Sequence, residues 1–230
     1  MNVIYRQQDY SDPTSLASKF RMARSKYVRD LIESIFKSKG SCRIIDIGGR
    51  PQYWSLFDRH FLDHHNVKIT IVNIEEQNAV DDDMFTQLQG RTELLDIADN
   101  SFDLAHSNSV IEHVGSWTEM ETFSAEVRRT APCYYVQTPY FWFPVEPHFS
   151  SLFFHWLPEA VRARRLMKRA HGFHAKASTI NDAMRSVQQA RLLDRAMMNA
   201  LFPDAAHVDE KFVGLTKSLM AIKGLPTPDR

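Results

Sequence analysis

The run Ile44-Ile45-Asp46-Ile47-Gly48-Gly49 constrains the fold of this chain more than any other stretch. An apolar segment carrying one carboxylate ends in two glycines, and an aromatic-rich helical stretch follows. A buried parallel strand passes the chain in this way to a glycine turn that lies against a ligand. Glycine is the residue that tolerates a positive φ and lets a ligand approach the backbone closely.

Elements of both periodicities alternate around that run. Leu16, Phe20, Ala23, Tyr27, Leu31, Ile32 and Ile35 recur at helical spacing and predict a helix over 15–37, started by Asp12-Pro13-Thr14 and stopped by Lys39-Gly40-Ser41. The first strand is expected at 43–47, a helix at 53–62 and a second strand at 67–74. A short third strand is expected at 93–95, a fourth at 102–107, a helix at 117–129 and a fifth strand at 133–137, stopped by Thr138-Pro139. Strands alternating with helices argue for a doubly wound parallel sheet in an α/β fold. After residue 139 the character changes. Residues 139–158 are dense in aromatics, a basic helical stretch covers 159–169, and further helices are expected at 177–189 and 192–202. Two strands at 208–213 and 218–223 flank Gly214-Leu215-Thr216.

Composition disfavours several classes. With 28 basic and 28 acidic residues in a chain of 230, there is no net field to attract nucleic acid. No run approaches the roughly 18 apolar residues that a membrane span needs, and residues 1–8 lack the apolar centre of a signal peptide. A cytoplasmic location is the expectation. The two cysteines, Cys42 and Cys133, each stand at the entrance to a core strand and read as buried free thiols. No metal site is expected: His64 and His65 are adjacent, and His171 and His174 lack a matched third ligand.

The glycine turn, taken with Asn100-Ser101-Phe102-Asp103-Leu104 and Asn108-Ser109-Val110-Ile111-Glu112-His113-Val114, resembles the class I S-adenosylmethionine-dependent methyltransferases, in particular their type 11-like group. The resemblance covers about residues 43–155, and 202–219 more loosely. It implies a Rossmann-like methyltransferase fold: a seven-stranded, mostly parallel sheet closed by a C-terminal antiparallel hairpin. It also implies S-adenosylmethionine as cofactor and S-adenosylhomocysteine as product. In the family pattern, acidic–x–Gly–x–Gly, this chain offers Asp46, Gly48 and Gly49 at the methionine end, with Arg50 in place of the second glycine. Asp46 would accept from the ligand ammonium directly or through water. Asn73 falls at the family's ribose-binding acidic position. Glu75, two residues on and on the same side of an extended chain, is the favoured ribose ligand, with Asn73 as a helper. The family's adenine-side Gly-Asp is Gly90-Arg91 here, which leaves the backbone around Leu95 and Asp96, with Asp96 as a polar contact. Ser107 and Asn108 face the methionine end in the family, and His113, in the same motif, would line the site.

The acceptor side reads from 137–149, Gln-Thr-Pro-Tyr-Phe-Trp-Phe-Pro-Val-Glu-Pro-His-Phe. The prolines restrict its backbone, so it is a shaped loop. Glu146 and His148 stand two apart and point to one side of an extended segment. A carboxylate beside an imidazole orients the ring and raises its pKa, which suits a general base. The aromatic and basic stretch that follows reads either as a lid over the site or as a surface meeting a lipid-linked acceptor at a membrane. The expected layout is one domain: a helical segment over 1–40, a cofactor-binding core over 41–138, the aromatic and basic acceptor side over 139–206 and a closing hairpin over 207–230. The expected reaction is methyl transfer to a small-molecule, glycan or lipid-linked acceptor at O or N. The alternative is an inactive cofactor-binding or interaction protein of the same fold. A nicotinamide oxidoreductase is disfavoured because the turn lacks Gly-x-Gly-x-x-Gly.

Overall fold

The computed structural model describes residues 16–74 and 82–225. Nine strands are present among them: β1 (Cys42–Ile47), β2 (Val67–Asn73), β3 (Phe85–Gln89), β4 (Leu104–Asn108), β5 (Cys133–Pro139), β6 (Val145–Glu146), β7 (Ser151–Leu152), β8 (Ala206–Phe212) and β9 (Leu215–Lys223). The α-helices are α1 (Leu16–Lys39), α2 (Arg59–His64), α3 (Trp117–Thr130), α4 (Glu159–Lys168), α5 (Ile180–Gln188) and α6 (Arg195–Leu201). Seven strands form one sheet in the order β3-β2-β1-β4-β5-β9-β8, and β6 pairs with β7 apart from it. The pairings β3-β2, β2-β1, β1-β4 and β4-β5 are parallel, whereas β9 runs antiparallel to both β5 and β8. The doubly wound, seven-stranded, mostly parallel sheet with a C-terminal antiparallel hairpin is therefore the architecture.

Strand pleat divides the sheet into two buried faces. From β1, Cys42 and Ile44 join Ile69, Ile71, Leu104 and Tyr135 in a core shared with Val28, Leu31, Ile32 and Ile35 of α1. Ile45 and Ile47 face the other way, toward Ala105 and Val136 of the sheet, Met120, Phe123 and Val127 of α3 and Met198 and Leu201 of α6. A third, smaller cluster lies apart from both, where Phe149 and Phe154 meet Ala163, Leu166, Ala183 and Val187 of α4 and α5.

Three expectations shift. The third strand is not at 93–95: the chain pairs with β2 at Phe85–Gln89, and Thr92–Leu94 is a turn of 3-10 helix. β3 is an edge strand whose residues are at most half-buried, so Thr86, Gln87 and Gln89 read as loop, while Leu94 is apolar yet 76% exposed. The helix expected over 53–62 is instead a 3-10 segment, Pro51–Leu56, followed by α2 with Asp58 as its N-cap. The inward stripe of α1 holds at Leu31, Ile32 and Ile35 but departs at one turn: Ala23 is exposed, and Arg24 is buried.

Arg24 is drawn inward by an acidic partner. Its guanidinium reaches Glu210 of β8 at 2.8 and 2.9 Å, and Glu210 also accepts from Ser218 and Lys217 of β9. This buried pair fastens α1 to the C-terminal hairpin. Among the described residues no helix is long and apolar enough to cross a membrane. Removing one partner of a buried ion pair leaves the other uncompensated, at about 3–5 kcal/mol. Because Lys217 and Ser218 still serve Glu210, Arg24→Met is expected to cost about 3 kcal/mol, measured by urea denaturation. A loss below 1 kcal/mol would show that the pair does not fasten α1.

Candidate functional site

The strand order reverses between β1 and β4, and the loops leaving the carboxyl ends of those two strands bound the crevice where ligands bind in open α/β sheets. A cavity of about 420 Å³ lies there, within the range of small-molecule sites. Its wall includes Asp46 of β1 with Gly48 and Gly49 after it, Asn73 at the end of β2, and Asn108 at the end of β4 with Ser109, Val110 and His113 after it.

The glycine turn is packed from both sides. Gly48 has φ +73°, and a Cβ there would overlap the Val110 side chain. A Cβ on Gly49 would overlap the carboxylate of Asp46, which lies directly beneath it. That carboxylate is fully buried, accepting from Trp54 Nε1 at 2.8 Å and from His106 Nδ1 at 2.6 Å. Asn73 Nδ2 donates to the carbonyls of Gly48 (3.3 Å) and Gly49 (3.0 Å), tying the end of β2 to the turn.

The other expected cofactor residues are dispersed. Asn108 lines the cavity, and its Oδ1 is buried without a hydrogen-bond partner. Ser107 is fully buried and donates to the Ile47 carbonyl at 3.0 Å, which joins β4 to β1 beneath the cavity. Leu95 and Asp96 are not on the cavity wall; Leu95 instead packs on the α3-side core and under Gly90. Glu75 lies outside the described residues. On that side the wall is formed by Ile74, Gly90, Arg91, Thr92, Val114 and Phe123. Arg91, at the place of the family's carboxylate, pairs with Glu93 at 2.6 Å.

The acceptor-side residues do converge. His148 Nδ1 donates to Glu146 Oε1 at 2.8 Å, and the other Glu146 oxygen accepts from the Phe149 backbone N–H. His148 Nε2 lies 3.2 Å from His113 Nε2, although the two residues are 35 apart in sequence. His113 Nδ1 in turn donates to the Gln189 carbonyl at 2.9 Å. Burial pushes the His148 imidazole down, but the hydrogen bond and charge of Glu146 outweigh it and hold the group above its ordinary value. Sequence reasoning missed Glu112. It is 1% exposed, accepts from Thr138 Oγ1 at 3.0 Å through Oε2, and leaves Oε1 buried with no partner. Its place beside His113 in the 111–114 motif was the available signal.

Gly49→Ala tests the support beneath the turn. The added methyl must displace the Asp46 carboxylate and strand Trp54 Nε1 or His106 Nδ1. A buried donor left unpaired costs about 1–3 kcal/mol. Thermal unfolding is expected to show a loss of that size, and an unchanged Tm would refute the packing described.

Residues 49–131 match a family model described as a methyltransferase domain. No curated protein matches the chain significantly. Among solved structures, the PH0226 protein of Pyrococcus horikoshii OT3 is similar at 14% identity and a TM-score of 0.51, with 96% of this chain and 98% of that one covered. That likeness extends the fold over nearly the whole chain. The 1,6-didemethyltoxoflavin-N1-methyltransferase of Burkholderia thailandensis, solved with 1,6-didemethyltoxoflavin and S-adenosylhomocysteine bound, is similar at 14% identity and a TM-score of 0.47, covering 90% of this chain and 84% of that one. Residues 49–131 are thus similar to a methyltransferase domain, in keeping with the resemblance carried by the glycine turn and the 108–114 motif.

Proposed function

We propose that this protein transfers a methyl group from S-adenosylmethionine to an oxygen or nitrogen of a small-molecule, glycan or lipid-linked acceptor. The observation that carries the reading is the side-chain-free turn at Gly48 and Gly49, opening on a cavity at the sheet's switch point in a chain whose 49–131 segment is similar to a methyltransferase domain. The residues present fit the cofactor. Gly48 leaves its backbone bare toward the cavity, and the unpartnered Asn108 Oδ1 on the wall suits a ligand ammonium. Asp46 and Asn73 hold the turn in shape from below and from the side, and Glu75 is assigned to the ribose hydroxyls. When bound, the cofactor supplies a sulfonium-activated methyl.

The protein's own tasks are orientation and proton removal. Holding the acceptor atom within about 3–3.5 Å of the methyl, in line, accounts for much of the rate. His148, Glu146 and His113 are assigned to the acceptor. His148 faces the acceptor proton, Glu146 fixes its ring, and His113, which is also on the cavity wall, links His148 to the cavity. The 139–206 segment is assigned to acceptor recognition. Its exposed aromatics Trp142, Phe153 and Trp156 lie within 6.0 Å of one another by ring centroid in two pairs, a surface suited to an apolar or lipid-linked acceptor.

Calorimetry with S-adenosylhomocysteine tests the cofactor placement. Gly48→Val, shown to be folded by circular dichroism, is expected to weaken binding about 100-fold or more, or about 2.8 kcal/mol; unchanged affinity would sink the placement. His148→Ala is expected to lower kcat by about 100-fold, the lower end of the general-base range, against acceptors found with a labelled methyl donor, with S-adenosylhomocysteine affinity nearly unchanged. Equal losses in both would move His148 to the cofactor side.

A further inference from the structure

Glu112, His113 and His148 each offer a ligand atom, and these atoms all lie within 4.8 Å of one another. Their hydrogen bonds explain why that matters. A backbone carbonyl can only accept, so His113 Nδ1 carries the ring proton and its Nε2 presents a lone pair. His148 Nδ1 likewise donates to the Glu146 carboxylate. The two Nε2 atoms therefore face each other at 3.2 Å, where two lone pairs repel. Something positive belongs between them. A shared proton would satisfy the two nitrogens, but it would leave Glu112 Oε1 buried and without a partner, a costly state for an acceptor. A cation serves all three atoms at once.

We propose that Glu112, His113 and His148 bind a divalent first-row transition metal ion. Two imidazoles and one carboxylate with remaining positions open are the donor set of catalytic zinc and of non-haem iron sites, and too nitrogen-rich for magnesium or calcium. The outer contacts are those that metal-binding histidines and carboxylates make. His148 donates its other N–H to a carboxylate, His113 donates its own to a backbone carbonyl, and Glu112 accepts from Thr138. The elements are arranged for it: Glu112 and His113 follow β4, Thr138 lies near the end of the neighbouring β5, and His148 follows β6.

This rests on the methyl-transfer reading and deepens it. Because His113 also lines the cavity, the open positions adjoin the cofactor compartment, and an acceptor bearing a hydroxyl or carboxylate oxygen is the ligand that would complete the coordination. A hydroxyl held there gives up its proton to solvent more readily than a free one. The bound ion then does the work assigned above to a bare imidazole.

The test uses the full chain, stripped with chelator and titrated with Zn(II) by calorimetry and with Co(II) by visible absorption. One ion per chain is expected, with cobalt bands of a nitrogen- and oxygen-ligated site. Circular dichroism confirms the fold of each variant. His148→Ala and Glu112→Gln are expected to abolish binding at the site, and Glu146→Gln, which only loosens the ring of His148, to weaken it about 10–100-fold. Should His148→Ala fail to fold, the two glutamine variants carry the test. Failure of the wild type to bind one ion, or binding that survives Glu112→Gln and His148→Ala, overturns the proposal. S-Adenosylhomocysteine is titrated separately. A chain that binds it but takes up no metal ion sinks the metal site alone, whereas a chain that takes up the metal ion but does not bind it sinks the cofactor reading and leaves the site standing.

Discussion

The candidate site depends on one buried carboxylate. Asp46 is placed by β1 on the α1 face of the sheet, beside a largely apolar core, and is held there by Trp54 and His106. An unpaired carboxylate in that position would be untenable, since burying a charge without hydrogen bonds is costly. The two donors come from different elements, the 3-10 segment after the turn and the neighbouring strand β4. Asp46 therefore joins the turn, the sheet and the segment that covers them. Gly49 rests on this carboxylate and Gly48 on Val110, so the loop's course past the cavity is set by contacts beneath and beside it. The methyltransferase reading needs this backbone held still and bare, and the network supplies both.

Most of the fold was legible because its central strands are buried on both faces and read as apolar runs. β1, β2, β4 and β5, α3 and the closing hairpin lie close to where periodicity and turn residues put them. β3 was not legible, because an edge strand needs to hide little and its sequence, Phe-Thr-Gln-Leu-Gln, carries no buried pattern. The burial of Arg24 in α1 was hidden for a different reason. The partner that draws Arg24 inward is 186 residues away, and nothing local to the helix announces it.

The site divides in the same manner. Gly48, Gly49, Asn73, Asn108 and His113 were named from motif and lie on the cavity wall, whereas Ser107, Leu95 and Asp96 take part in packing or lie off it. The pairing of Glu146 with His148 followed from a spacing of two. The approach of His148 to His113 did not, because it depends on how the loop after β5 folds back across the end of β4. Glu112 was visible only as one letter of a motif, and its importance lies in an oxygen that no protein group satisfies. Asp46 also reads differently in three dimensions: the sequence pattern suggests a group reaching toward a ligand, and its neighbours make it a keel under the turn.

The small apolar cluster of Phe149, Phe154, α4 and α5 has a consequence for how such a protein diversifies. The loop that carries His148 is anchored to a core of its own, separate from the two that flank the sheet. Insertions and side-chain exchanges in this annex draw on a local store of cohesion, so they leave the strands beneath undisturbed. Substitutions that change what this loop contacts can be absorbed there, while the sheet and its glycine turn keep their packing.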